Sequence, residues 1–118
     1  MGNDLQVNGR TIARDGDGYL KSLADWDRDV ATAIAADEGI ALTAEHWQVI
    51  DVIRAFHAEY RISPATRVLV KAVGRALGTD KGNSAWLMQR FSSARHPAQS
   101  PALVVARIAG LPRPANCL

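Results

Sequence analysis

Cysteine is almost missing from this chain. Cys117 is the single one among 118 residues, so no disulfide framework can form within one molecule, and the composition suits a reducing compartment. Long apolar runs are missing too. The longest falls far short of the roughly 20 residues a membrane-spanning helix needs, and Met1 to Arg10 holds no apolar stretch of the kind a secretory signal uses. A cytoplasmic protein with no membrane partner is expected. An excess of one charge is also lacking: 14 Lys+Arg stand against 12 Asp+Glu, a net +2, so the pI near 9.0 reflects a near-balanced set. Nucleic-acid binding is neither demanded nor excluded. No glycine-rich phosphate loop, paired-carboxylate signature or Ser-His-Asp order stands out. A self-contained enzyme is therefore not expected, and no cofactor is implied.

What is present is an ordinary globular composition, 47% apolar and 22% charged. A chain of this length should bury about two-thirds of its unfolded surface, enough for a core without metal or disulfide staples. One domain over residues 1–118 is expected, since no repeat or linker is visible.

Punctuation residues divide the chain. Leu5, Val7, Thr11 and Ile12 flank Asn8-Gly9, a dipeptide suited to a tight hairpin turn, so residues 1–20 read as a hairpin region. Asp15-Gly16-Asp17-Gly18 lacks the full calcium-loop spacing and reads as a plain turn. Ser22 with Asp25 three residues later resembles a capping box, opening a first helix through Trp26, Val30, Ala33 and Ile34 that Gly39 stops. Thr43 caps a longer second helix with an apolar stripe of Val49, Ile53, Phe56 and Tyr60, widened by Trp47 and Ile50, expected at the centre of the core. Ser63-Pro64 reads as N-cap and first residue of a third helix ending at Gly78, with Leu69, Val73, Ala76 and Leu77 inward. On another face Arg67, Lys71 and Arg75 form a basic ridge. Asn83 or Ser84 caps a fourth helix carrying Trp86, Leu87 and Phe91, and Pro101 starts a fifth that Gly110 ends. Leu111-Pro-Arg-Pro then forbids further helix, so residues 111–118 read as an extended, flexible arm. The fold class is α+β and mainly helical: a β-hairpin, a helix-turn-helix-like bundle of about five helices, and the arm.

Cys117 is penultimate, and seven residues past Gly110 give it a reach of roughly 20 Å if fully extended. A thiol that visits a donor and then an acceptor benefits from such a tether. Its thiolate would attack a persulfide and store the sulfur as Cys-S-SH. Arg113 on the arm, or the ridge of Arg67, Lys71 and Arg75 if the arm folds back, are candidates to stabilise that anion. An incidental terminal cysteine of ordinary reactivity fits the position as well. His46, His57 and His96 match no compact zinc spacing, so they read as structural and no metal is expected. The three tryptophans and Phe56 read as core. The basic ridge on a helix-turn-helix-like body leaves a small DNA-binding module as a competing function.

Almost the whole chain resembles the DsrC/TusE family of small sulfur-trafficking proteins. The matching segments are Glu38-Gly-Ile40, Leu42-Thr43, Glu45-His-Trp47, Arg54-Ala-Phe56, Ser63-Pro-Ala65, Arg67-Val-Leu-Val-Lys-Ala72, Lys81-Gly-Asn-Ser84 and Ile108-Ala-Gly-Leu-Pro-Arg-Pro114 followed by Cys117. The resemblance implies a carrier with sulfur on Cys117. Arg113, Arg67, Lys71 and Lys81 would offer a nearby cationic surface. A persulfide-donating complex of the TusBCD/DsrEFH type would load the thiol. The acceptor would be a tRNA thiolase or a sulfur-oxidation enzyme. Family members that partner sulfite reductase carry a second cysteine eleven residues earlier, and Ala106 occupies that position here. The departure favours a TusE-like relay for tRNA 2-thiouridine synthesis. The alternatives are a trafficking or regulatory role in dissimilatory sulfur metabolism, or an arm that docks a partner without passing sulfur. A second departure, Phe91-Ser-Ser-Ala-Arg-His-Pro97, replaces the family's short Phe-Pro-x-Gly-Pro connection into the last helix.

Overall fold

The computed structural model describes residues 3–115. The fold is α+β and mainly helical. Strands β1 (Leu5–Val7) and β2 (Arg10–Ile12) pair antiparallel with Leu5 opposite Ile12 and Val7 opposite Arg10. The turn between them needs positive φ at two successive residues, which Asn8 (51°) and Gly9 (78°) supply. Val7 and Ile12 turn inward and are buried. Five helices follow: α1 (Arg28–Asp37), α2 (Ala44–Tyr60), α3 (Thr66–Leu77), α4 (Ser84–Arg90) and α5 (Pro101–Ile108).

Helix α5 is the centre of the core. All eight of its residues are buried, as are Ala109, Gly110 and Leu111 after it, and α1, α2, α3 and α4 all pack against it. A helix whose residues are all apolar but one is stable when surrounded in this way, and its one charge, Arg107, is paired inside with Glu38. The surrounding helices turn Val30, Ile34, Val49, Ile50, Ile53, Leu69, Val73 and Leu87 toward it.

Several local expectations give way to longer-range contacts. The first helix starts at Arg28 rather than near Ser22: Leu23–Asp25 is a single 3₁₀ turn, and Asp27 is the cap, its carboxylate accepting from the Val30 amide at 2.8 Å. Ser63 does not cap the third helix, which begins after Ala65. Phe56 is only half-buried, and Tyr60 and Ala76 are exposed, so the core takes the first half of the α2 stripe and leaves the rest to the surface. The tryptophans are likewise half-buried. Each carries a guanidinium on its face, Arg54 over Trp26 at 3.8 Å, Arg28 over Trp47 at 3.8 Å and Arg90 over Trp86 at 4.1 Å, which suits rings that rim a core rather than fill it.

His46 is structural. Its Nδ1 accepts from the Thr43 amide at 3.0 Å, closing a reciprocal cap on α2, and its Nε2 lies 2.9 Å from the Arg90 carbonyl, so the proton sits on Nε2. The altered segment after Phe91 folds onto the end of α1. The Ala94 amide donates to the Glu38 carbonyl at 2.9 Å, and Arg95 pairs with Asp37 at 2.6 Å.

Candidate functional site

The arm leaves the body from the end of α5, and the chemistry of that exit follows from burial. Carbonyls at a helix end have no partner within the helix, and here the residues that bear them are buried. Two are closed locally, because the Gly110 amide donates to Arg107 O at 3.2 Å and the Leu111 amide to Ala106 O at 2.9 Å. This Schellman pair requires a left-handed residue, and Gly110 has φ +72°. A Cβ at Gly110 would also stand 2.2 Å from Trp26 Cδ1, so glycine is required twice over.

The carbonyls still open are taken by side chains from elsewhere in the chain. Trp26 Nε1 donates to Ile108 O at 2.9 Å, Arg54 Nη1 to Ala109 O at 2.7 Å, and Ser63 Oγ to Pro112 O at 2.6 Å. Burial pushes the Arg54 guanidinium pKa down while the charge of Asp51 opposes the change; the group stays a cation at neutral pH. Three donors in succession thus fix the direction in which the chain leaves α5.

The base of the arm is seated, too. Leu111 and Pro114 are buried, and Arg113 Nη1 lies 3.4 Å from Asp17 Oδ2. Both groups of that pair are about half exposed or more, so it guides the arm more than it holds it. Asp17 is therefore more than a turn residue, for its carbonyl also accepts from the buried Arg107 Nε at 3.1 Å. Cys117 lies outside the described residues. Covalent geometry sets its reach: it stands three positions beyond the seated Pro114, about 10 Å of extended chain rather than the 20 Å counted from Gly110.

The cationic residues separate into two groups. Arg67 and Lys71 are exposed on α3, with Lys71 and Arg75 along a groove between α2 and α3 of about 350 Å³. The groove shares Phe56 and Val68 with a second hollow of about 420 Å³ bounded by Pro112, Arg113 and Ala115 of the arm. Lys81 is elsewhere. Its ammonium lies 3.9 Å from Glu45, which also accepts from Arg90 at 3.0 Å, and Glu45 stands 15 residues before Tyr60 on α2, about 22 Å along the helix.

Sequence reasoning passed over Trp26, Arg54, Ser63 and Asp17 as parts of the arm's seat. Their partners lie 82, 55, 49 and 96 residues away along the chain, beyond any local pattern. Among the described residues no group of three His, Cys, Asp or Glu side chains is arranged to hold a metal ion. Nor is any helix among them long and apolar enough to cross a membrane.

Residues 6–118 match the family model described as DsrC like protein. The chain belongs to the DsrC-like family. Sulfurtransferase TusE of Sodalis glossinidius is 46% identical over 114 residues, covering 97% of this chain and all of that protein. The TusE homolog of Haemophilus influenzae is also 46% identical, covering 97% and 99%. The NMR structure of Allochromatium vinosum DsrC superposes with a TM-score of 0.83 at 43% identity, covering 98% of this chain and 97% of that one. The oxidized gamma-subunit of dissimilatory sulfite reductase, DsrC, from Archaeoglobus fulgidus gives 0.80 at 34%, covering 98% and 99%. Within this DsrC-like fold position 106 falls on the buried central helix, and Ala106 is fully enclosed there.

Proposed function

We propose that this protein is a sulfur carrier of the TusE type and that Cys117 bears the sulfur. Full-length similarity to proteins named sulfurtransferase TusE carries the reading and favours it over the DNA-binding and non-transferring alternatives. In the transfer step the Cys117 thiolate attacks the outer sulfur of a donor Cys-S-SH. The donor S–S bond breaks and the donor leaves as its thiolate, while a new S–S bond forms on Cys117. Atoms and electrons balance without an external oxidant. The outer sulfur then passes on to an acceptor in the same way.

A thiolate is the reacting species, so cations near it raise the rate by raising its population. Arg113 on the arm, with Arg67 and Lys71 on α3, supply that charge, while Lys81 stays with Glu45. The donor is a TusBCD/DsrEFH-like complex and the acceptor a tRNA thiolase, in the cytoplasm. With one cysteine in the chain, an internal disulfide cycle is excluded, which supports the tRNA relay over a sulfite-reductase role.

Mass spectrometry after incubation with the persulfide-charged donor should show one added sulfur on the wild type and none on Cys117→Ser. In cells lacking the protein, 2-thiouridine in tRNA should return with the wild type only. An unchanged wild-type mass would overturn the carrier reading. Loading without restored 2-thiouridine would move the protein to another sulfur pathway.

A further inference from the structure

Among the described residues five large apolar side chains are exposed, and three of them, Tyr60 (54%), Ile62 (62%) and Val68 (43%), line the same α2/α3 groove and the hollow that continues it to the arm. Scattered exposed apolar residues are ordinary; a contiguous set beside a reactive tail is a recognition surface. The backbone contributes to it. Arg61, which ends α2, has φ +62°, a left-handed conformation costly for a residue with a side chain, and the turn leaves Arg61 and Ile62 facing outward.

The rim is cationic. Arg61, Lys71, Arg75 and Arg113 border the two hollows and Glu59 is the one acid among their lining residues. Arg61, Lys71 and Arg75 have no ion-pair partner among the described residues. Such a surface fits a protein that offers an apolar projection ringed by carboxylates.

We infer that this groove is the docking surface for the sulfurtransferase that loads Cys117, and that the donor meets it with such an acid-ringed projection. The inference rests on the carrier reading, which supplies two partners to choose between. An acceptor that holds tRNA needs a cationic face, and like charge disfavours its approach here. A donor that handles no nucleic acid is free to be acidic. The groove also opens onto Arg113 and Ala115, so a protein seated in it lies within the short reach of the arm.

The test uses the full chain with the purified persulfide-donating complex. Ile62→Ser, Val68→Ser and Arg75→Gln alter exposed positions, and Met88→Ser, at an apolar residue 52% exposed on another element, serves as control. Calorimetry in a Cys117→Ser background, where no sulfur can move, should show each groove variant binding the donor at least tenfold more weakly, with Met88→Ser unchanged. With Cys117 intact, protein-dependent loading should fall in parallel, while loading of Ile62→Ser and Val68→Ser by free cysteine persulfide stays at the wild-type rate. Unchanged donor affinity in all three variants overturns the docking surface. If free cysteine persulfide still loads Cys117, the carrier reading survives that result. Loss of tRNA binding in place of donor binding would assign the groove to nucleic acid, and loss of a wild-type dimer on sedimentation would assign it to a second copy. Each of these two outcomes also overturns the inference.

Discussion

Two residues govern how the arm begins. Gly110 combines a left-handed φ with a 2.2 Å approach to Trp26, so Gly110→Ala meets both backbone strain and overpacking. A loss of about 3 kcal/mol or more is expected from the two effects together, read as a lowered urea midpoint with an unchanged slope. Ser63 acts differently. Its hydroxyl holds Pro112 O at 2.6 Å, and a single neutral hydrogen bond contributes about 1 kcal/mol. Ser63→Ala should leave the fold intact and free the arm, seen as a lower NMR order parameter for the Arg113 amide with no change in α2 or α3. Equal order parameters in the two proteins would show that the arm is seated without this hydrogen bond.

At the scale of elements, α5 depends on one buried charge pair. Arg107 and Glu38 are 1% and 2% exposed and meet at 3.0 Å. Arg107 also reaches the Asp17 carbonyl and Gln99, and its guanidinium lies over the Tyr19 ring. Replacing it by Met would strand a buried carboxylate, which costs about 3–5 kcal/mol. The double variant Arg107→Met with Glu38→Met should recover much of that loss in chemical denaturation, since removing both charges spares the desolvation. No recovery would mean that the contacts to Asp17 and Gln99 matter more than the ion pair.

The same elements show what a sequence can reveal. The hairpin was legible in Asn8-Gly9, and Gly39 and Gly110 marked helix ends, because positive φ is a local demand written in a local residue. The start of α1 was misplaced for a physical reason. Ser22 and Asp25 have the spacing of a cap, but Trp26 is drawn out of any helix toward the Ile108 carbonyl. Ser63 likewise reads as a cap beside Pro64, while its hydroxyl is committed to a carbonyl across the molecule. The basic ridge was visible as helical spacing. That Lys81 would sit with Glu45, away from Lys71, depends on how α3 and α4 pack and has no signature in spacing. The lone cysteine and the Leu111-Pro-Arg-Pro run before it are plain in the sequence; the seat of residues 111–114 is not, because its donors come from far along the chain.

At the scale of the whole molecule, Asp37 links three parts of the chain. It lies 3.3 Å from Arg14 after the hairpin and 2.6 Å from Arg95 in the loop before α5, and itself ends α1. Burial pushes its carboxyl up, but the hydrogen bonds and charges of Arg95 and then Arg14 outweigh that and hold its pKa below the usual aspartate value. A folded pKa below the unfolded value stabilises the fold above about pH 3.9 and ceases to do so as pH falls through the folded value. Urea unfolding from about pH 6 to 2.5 should therefore show wild type more stable than Asp37→Asn at the upper end, with the two curves converging in acid. A constant gap across the range would remove the carboxylate's charge as the cause.

Helix α5, enclosed on all sides, runs directly into the arm through Gly110. Tension applied to the tail therefore enters at the best-packed part of the protein and meets first the hydrogen bond of Ser63, then those of Arg54 and Trp26. A pulling experiment from that end should meet a stiff mechanical clamp at this mooring before any helix peels away.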